Sequence, residues 1–200
     1  MIPHTFIFIG RSGCGKGTQA DLLKNRIAKL DKAKRQILYV ETGDRFRKFI
    51  RDKGYSSELS KKLYEKDERQ PDFMACFMWG TMLVEELGPN MHLMFDGAPR
   101  SHAEALLMTT ALKFYERLKP TIIYLRVGRK WAEERLLSRG RQDDRTLVKI
   151  NKRLDWFEAD TWPAIEYFKT NNFYKFIEVN GEQSIEGVHR EIIGAYDDSD

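Results

Sequence analysis

Cysteine is nearly absent from this 200-residue chain: Cys14 and Cys76 are its two thiols, too few and too far apart for a disulfide framework or a zinc site. A reducing, cytoplasmic setting is the expectation. Long apolar runs are also missing. The most apolar stretch, residues 73–84, ends at Glu85 and Glu86 and is too short to cross a bilayer, so it predicts a buried helix and no membrane partner. The first strand-like run begins almost at Met1, so no cleavable leader is expected. No repeat or low-complexity tract occurs, and neither sign of charge dominates. Lys and Arg number 34 against 30 Asp and Glu, a net +4 that suits anionic partners without demanding nucleic acid. The 42% of hydrophobic residues is enough for one sizeable core, so residues 1–200 are expected to form a single domain working as a monomer.

Strand-like segments recur at residues 6–9, 37–40, 92–95, 121–127 and 173–179, with helical patterns between them. This alternation predicts an α/β fold with a five-stranded parallel sheet covered by helices on both faces, a three-layer arrangement. After the first strand, Ala20, Leu23, Ile27 and Leu30 fall on one face of a helix that begins near Lys16. Residues 44–70 and 138–145 are charge-dense and weakly anchored, and both read as flaps or as plain solvated segments.

Residues 10–18 read Gly-Arg-Ser-Gly-Cys-Gly-Lys-Gly-Thr, after an apolar strand and before an amphipathic helix, the context a phosphate-binding P-loop requires. Its glycines let successive N–H groups converge on a phosphate, and the helix N-terminus adds partial positive charge. Gly13, Cys14, Gly15, Lys16, Gly17 and Thr18 are therefore the expected nucleotide cradle. Lys16 brings a cation to the outer phosphates, and the Thr18 hydroxyl is placed toward Mg2+. The loop alone says nothing of where the phosphate goes.

Further blocks narrow the chemistry. Thr42-Gly43-Asp44 ends the second strand with Arg47 three residues later, Asp96-Gly97-Ala98-Pro99-Arg100 ends the third, and Gly140-Arg141-Gln142-Asp143-Asp144 precedes Arg153. With Gly-Lys-Gly-Thr-Gln at 15–19, this set, in this order, resembles the short-lid adenylate kinase-like nucleoside monophosphate kinases, and the resemblance covers nearly the whole chain. It implies a P-loop fold with an acceptor-binding insertion at 44–72 and a short lid at 138–145, using MgATP and a nucleoside monophosphate as substrates, with AMP the leading acceptor. Thr42, Arg47, Gly97 and Arg100 would hold the acceptor. Arg139, Arg141 and Arg153 would close over the transferring group, with Arg141 and Arg153 also touching substrate. Arg135 and Gly181 would meet the donor nucleotide.

The chemistry suits those residue types. An acceptor phosphate with a second pKa of about 6 is largely dianionic near neutrality and needs no general base. The demand is instead to align two polyanions and neutralise charge in flight, which arginines and magnesium meet. Residues 126–153 hold ten Lys or Arg against four Asp or Glu. Arg126, Arg129 and Lys130 in that stretch also fit plain surface roles. Asp96, at a strand end, takes the place of the acidic residue near magnesium, directly or through water. Asp44 reads as a helix cap, Asp143 and Asp144 as anchors for lid arginines, and His92 and His102 as surface or strand-edge residues.

The chain departs from the family pattern at Ser12, at the very short turn between Arg139 and Arg141, at residues 67–71, and at Glu104, where adenylate kinases carry glutamine. An ionised carboxylate only accepts hydrogen bonds, so Glu104 in that form suits a base edge with two donors better than adenine. Glu104 could equally face solvent. A kinase of GMP or a pyrimidine monophosphate, a P-loop kinase of another small substrate, an RNA-associated ATPase and a nucleotide-binding regulatory module with little catalysis are the alternatives.

Overall fold

In the computed structural model, which describes residues 3–140 and 146–197, five short apolar runs form the strands β1 (Thr5–Ile9), β2 (Ile37–Glu41), β3 (His92–Asp96), β4 (Thr121–Arg126) and β5 (Lys175–Asn180). All pairings are parallel, in the order β2-β3-β1-β4-β5. The helices are α1 (Lys16–Leu30), α2 (Thr42–Phe49), α3 (Tyr55–Glu65), α4 (Asp72–Glu86), α5 (His102–Phe114), α6 (Arg129–Arg139), α7 (Leu147–Trp156), α8 (Trp162–Thr170) and α9 (Ile185–Asp197). No described helix is long and apolar enough to cross a membrane.

Both faces of the sheet are covered, which explains why the inner strands β1, β3 and β4 are buried almost throughout, while the edge strands β2 and β5 alternate. Phe6 and Phe8 point to one side with Met94, Ile123 and Leu125, against α1, α6, α7 and α9. Ile7 and Ile9 point to the other with Leu93, Phe95 and Ile122, against α4, α5 and α8. Burial of each such side chain is worth about 1.5–3 kcal/mol. The expected three-layer α/β fold with a five-stranded parallel sheet is therefore observed. Because α1 leaves β1 toward one face and α5 leaves β3 toward the other, a crevice opens at the carboxyl ends of these neighbouring strands, where ligands of such sheets bind.

Between α7 and α8 the backbone makes a π-helical turn, Phe157–Thr161. Pro163, at the start of α8, lacks an N–H and its ring displaces the carbonyl four residues back, so the wider turn absorbs the clash.

Four local expectations are corrected. Residues 73–84 are helical, but Phe73, Phe77 and Val84 are 69%, 54% and 78% exposed, while Met74, Met78, Trp79 and Leu83 form the buried side. Leu30 is 51% exposed at the end of α1, past the reach of the sheet. Asp44 is not the cap of α2: Glu41 precedes that helix and Asp44 lies in its first turn, paired with Lys48 at 2.8 Å and Arg47 at 3.6 Å. Lys48, followed by Arg47, lowers the Asp44 pKa. His92 is fully buried on an inner strand: His4 N–H donates to its Nδ1 at 3.0 Å, and its Nε2 lies 3.3 Å from Asp31 Oδ2.

Candidate active site

The loop after β1 has the backbone its glycines foretell. Gly10, Gly13 and Gly15 have φ of 152°, 84° and 95°, and Gly15 caps α1 with no side-chain oxygen, leaving the first N–H groups of that helix directed into the loop. Side chains are also excluded sterically: a Cβ at Gly10 would lie 2.7 Å from Leu125 O and one at Gly13 2.9 Å from Leu136 Cγ. Lys16 Nζ donates to Gly10 O at 2.8 Å and Arg11 O at 3.0 Å, which holds the ammonium over the loop mouth. Arg11 ties the loop to its surroundings through Val127 O at 2.6 Å and Glu158 at 3.3 Å, with its guanidinium stacked over Phe157.

Asp96 ends β3 beside this loop. Tyr39 of β2 donates to Asp96 Oδ2 at 3.0 Å, and a Cβ at Gly17 would lie 3.2 Å from the same oxygen, a tight contact that would push on this carboxylate. Burial, followed by the charge of Asp96, raises the Tyr39 pKa, so its hydroxyl keeps the proton it donates.

Two guanidinium groups converge where α2 begins. A Cβ on Gly43 would meet Arg47 Nη1 at 3.3 Å and Arg100 Nη2 at 3.8 Å. Arg47 is steadied by Glu41 at 3.0 Å, while Arg100 Nε donates to Gly97 O at 2.8 Å. Arg153 on α7 lines the same cleft and adds its charge to the field at Arg100. From α7, Lys149 pairs with Asp67 at 2.9 Å and Lys152 donates to Lys66 O at 3.2 Å, joining this helix to the loop before α4.

At the deep end of the cleft lies Glu104, 1% exposed. Ser101 caps α5 by accepting from Glu104 N at 3.1 Å and donates to Asp72 at 2.9 Å. Glu104 Oε1 is 3.7 Å from Arg69 Nη2, whereas Oε2 is buried with no hydrogen-bond partner among the described residues. Burial pushes its carboxyl up to about 7, against the opposing pull of Arg100 and Arg69. Thr42 Oγ1, on the wall of the cleft, is likewise buried without a partner among the described residues.

A nucleotide loop at the centre of the sheet, an acidic strand end beside it and paired arginines across a cleft agree with what sequence comparison finds. The family model for adenylate kinase matches residues 8–173. The chain belongs to the adenylate kinase family. It is 31% identical over 193 residues to an adenylate kinase of Flavobacterium psychrophilum, covering 93% of this chain and 94% of that one. An adenylate kinase 1 of a Nostoc species is 29% identical, with 93% and 95% covered, and the Corynebacterium urealyticum adenylate kinase 28%, with 96% and 98%.

Of the residues singled out from the adenylate kinase pattern, Lys16, Thr42, Arg47, Gly97, Arg100, Glu104 and Arg153 line one cleft. Glu104 does not face solvent. Thr18 is exposed on the first turn of α1. Gly181 packs against the β4 end, where a Cβ would lie 2.6 Å from Val127 Cγ1 and 3.7 Å from Cys14 O of the loop. Arg135 and Arg139 are exposed on α6, Arg135 lying over Trp131 at 4.7 Å. Arg141, Asp143 and Asp144 fall outside the described residues, as does most of the expected lid. Arg126 pairs with Glu178 and Arg129 with Asp155 and Glu158, the plain structural roles.

Sequence reasoning assigned nothing to Tyr39, Arg11 or Arg69. Tyr39 and Arg11 carry no motif of their own, since their partners lie 57 and 116 residues away. Arg69 was legible only as an unfamiliar residue within 67–71.

Proposed function

We propose that this chain transfers the γ-phosphoryl group of ATP to AMP, giving two molecules of ADP. The observation that carries this reading is the meeting of Arg47 and Arg100 at Gly43, across one cleft from Lys16. A lone nucleotide hydrolase has no need of a second phosphate clamp, whereas a phosphotransferase must hold an acceptor dianion against the repulsion of the donor.

In this reading the backbone from Gly13 to Thr18 cradles the donor phosphates, with Lys16 on the outer oxygens. Arg135 and Gly181 meet the donor nucleotide, and Arg139, Arg141 and Arg153 neutralise charge as the phosphoryl group moves. Thr42, Arg47, Gly97 and Arg100 orient the acceptor oxygen, and Glu104 reads its base. Residues 44–72 form the acceptor insertion and 138–145 the lid. The chain is read as a monomer, and its two free thiols are in keeping with a reducing cytoplasm.

Magnesium fits the residues present. It keeps several waters and takes one or two carboxylates beside substrate phosphates. Asp96, with its Oδ2 oriented by Tyr39, offers such a carboxylate, and Thr18, on the first turn of α1, a hydroxyl. Bound with ATP, the ion would supply positive charge that offsets the phosphates.

The test is a coupled assay of ADP formation with a panel of monophosphates. AMP is expected to accelerate ATP consumption far above the rate without acceptor. Tight ATP binding with no acceleration by any monophosphate would overturn the reading.

A further inference from the structure

Around the deep end of the cleft, three carboxylates face two guanidinium groups. Asp72 at the start of α4 pairs with Arg69, Asp160 of the π-helical turn lies 3.6 Å from Arg69 Nε, and Glu104 on α5 lies 3.7 Å from Arg69 Nη2. Arg100, just before α5, supplies the second positive charge. Cys76, the other titratable group facing this point from α4, is held as a thiol, its pKa pushed up to about 11 by burial and then by Glu104 and Asp72. Arg153 and Asp96 also act on Arg100, with opposite sign, so at this point the three carboxylates share two guanidinium groups.

Solvation decides which carboxylate gives way. The side chains of Asp72 and Asp160 are each 36% exposed, and that of Glu104 is 2% exposed. Water supports the first two as anions, while Glu104, though drawn by the charges of Arg100 and Arg69 and by the backbone N–H of Arg100, is cut off from bulk water. Its Oε2, buried and unpartnered on the wall of the cleft, is the atom on which a proton settles.

We propose that Glu104 binds the acceptor's adenine as a neutral carboxylic acid, Oε2–H donating to ring N1 while Oε1 accepts from the exocyclic amino group. This rests on the reading of the chain as an AMP kinase. Both edges are then satisfied: a protonated carboxyl supplies one donor and an acceptor, which matches the acceptor-plus-donor edge of adenine, whereas the carboxylate would place a lone pair against N1. No bond to carbon or phosphorus changes in this step. Above the Glu104 pKa the enzyme must take one proton from the medium as AMP binds, and that proton stays on Oε2 until AMP leaves.

Two measurements test this. The first is KM for AMP from pH 5.5 to 9.5 in the parent and in Glu104→Gln, whose amide has the same donor and acceptor but does not titrate. The acceptor phosphate ionises identically for both, so the ratio of the two KM values isolates residue 104. The ratio is expected to be flat at low pH and to rise about tenfold per pH unit above roughly 7, where the acid form becomes scarce. A ratio constant across the range overturns the proposal. The second needs no variant: calorimetry of AMP binding to the parent at pH 8 in two buffers of different ionisation enthalpy. The AMP phosphate is already a dianion at pH 8, so uptake of nearly one proton is expected from residue 104 alone, and none overturns the proposal. If no monophosphate is phosphorylated at all, it is the kinase reading that has failed, a result distinct from phosphorylation of AMP with a flat ratio.

Discussion

Tyr39 Oη donates to Asp96 Oδ2 at 3.0 Å, so a tyrosine on the edge strand β2 sets the direction of the carboxylate that ends β3. The remaining lone pairs of that carboxylate are left toward the P-loop. Tyr39→Phe keeps the ring and its packing under Lys24 but frees the carboxylate to rotate. We expect kcat to fall roughly tenfold and the magnesium concentration for half-maximal rate to rise, with a change in stability of about 1 kcal/mol or less. A magnesium titration of the rate, with a thermal melt alongside, checks this. An unaltered magnesium requirement would show that Asp96 needs no such orientation.

Lys16→Ala removes the ammonium that Gly10 O and Arg11 O hold over the loop. Turnover should drop by at least about 10³-fold while the melting temperature stays near that of the parent, because loss of a charge that meets the transferring phosphate weakens the transition state rather than the fold. Steady-state rates and circular dichroism melts distinguish the two.

Arg100→Ala should raise KM for AMP by one to two orders of magnitude with little change in ATP affinity, since its guanidinium lies beside Gly43 and Gly97 with that of Arg47. Arg47→Ala should show the same pattern more weakly, as that side chain is shared with Glu41 and Asp44. Equal loss of ATP and AMP affinity in either variant would count against an acceptor clamp.

Gly10→Ala places a methyl 2.7 Å from Leu125 O at a φ of 152°. A loss of roughly 2 kcal/mol in stability is expected from chemical denaturation, together with weakened ATP binding.

Acid stability should reflect the buried His92 and Asp31. Arg35 N–H, the strongest influence, and His92 hold the Asp31 carboxyl down at about 2, so its contribution is complete above the unfolded value near 3.8 and is lost as pH falls toward 2. Burial lowers the His92 pKa despite Asp31, so the stability tied to its neutral ring is present above about 6.5 and declines as pH falls below it. Urea midpoints should therefore fall between pH 4 and 3 as Asp31 protonates, whereas from pH 7 to 4.5 the loss at His92 is opposed by Glu104, whose raised value adds stability as pH falls; the His92 contribution is read as the difference between the parent and His92→Gln below pH 6.5.

The features legible in the chain are those built from neighbours in sequence. The P-loop is one run of nine residues whose glycines bend the backbone by themselves, and its strand-before, helix-after context is local. The parallel sheet was readable from apolar runs separated by helical periods, and the ends of β2 and β3 from Thr42-Gly43 and Asp96-Gly97. The 73–84 run misled as to burial because composition does not say how many faces of a helix are covered: α4 packs one side on the sheet and leaves Phe73, Phe77 and Val84 outside.

Glu104 shows the boundary between the two kinds of information. Its identity and its position four residues after Arg100 marked it as the residue to examine in the acceptor site, and nothing more. Its proton is decided by burial and by Arg100, Arg69 and Asp72, which reach it from the turn after β3, from the loop before α4 and from α4 itself, with Asp160 of the π-helical turn sharing Arg69. Sequence determined the loop chemistry and the positions of the strands, because both follow from backbone preference and apolar period over adjacent residues. Only tertiary structure decided the electrostatics of the site, because the energy of a charge depends on the solvent and countercharges folded around it, wherever in the chain they originate.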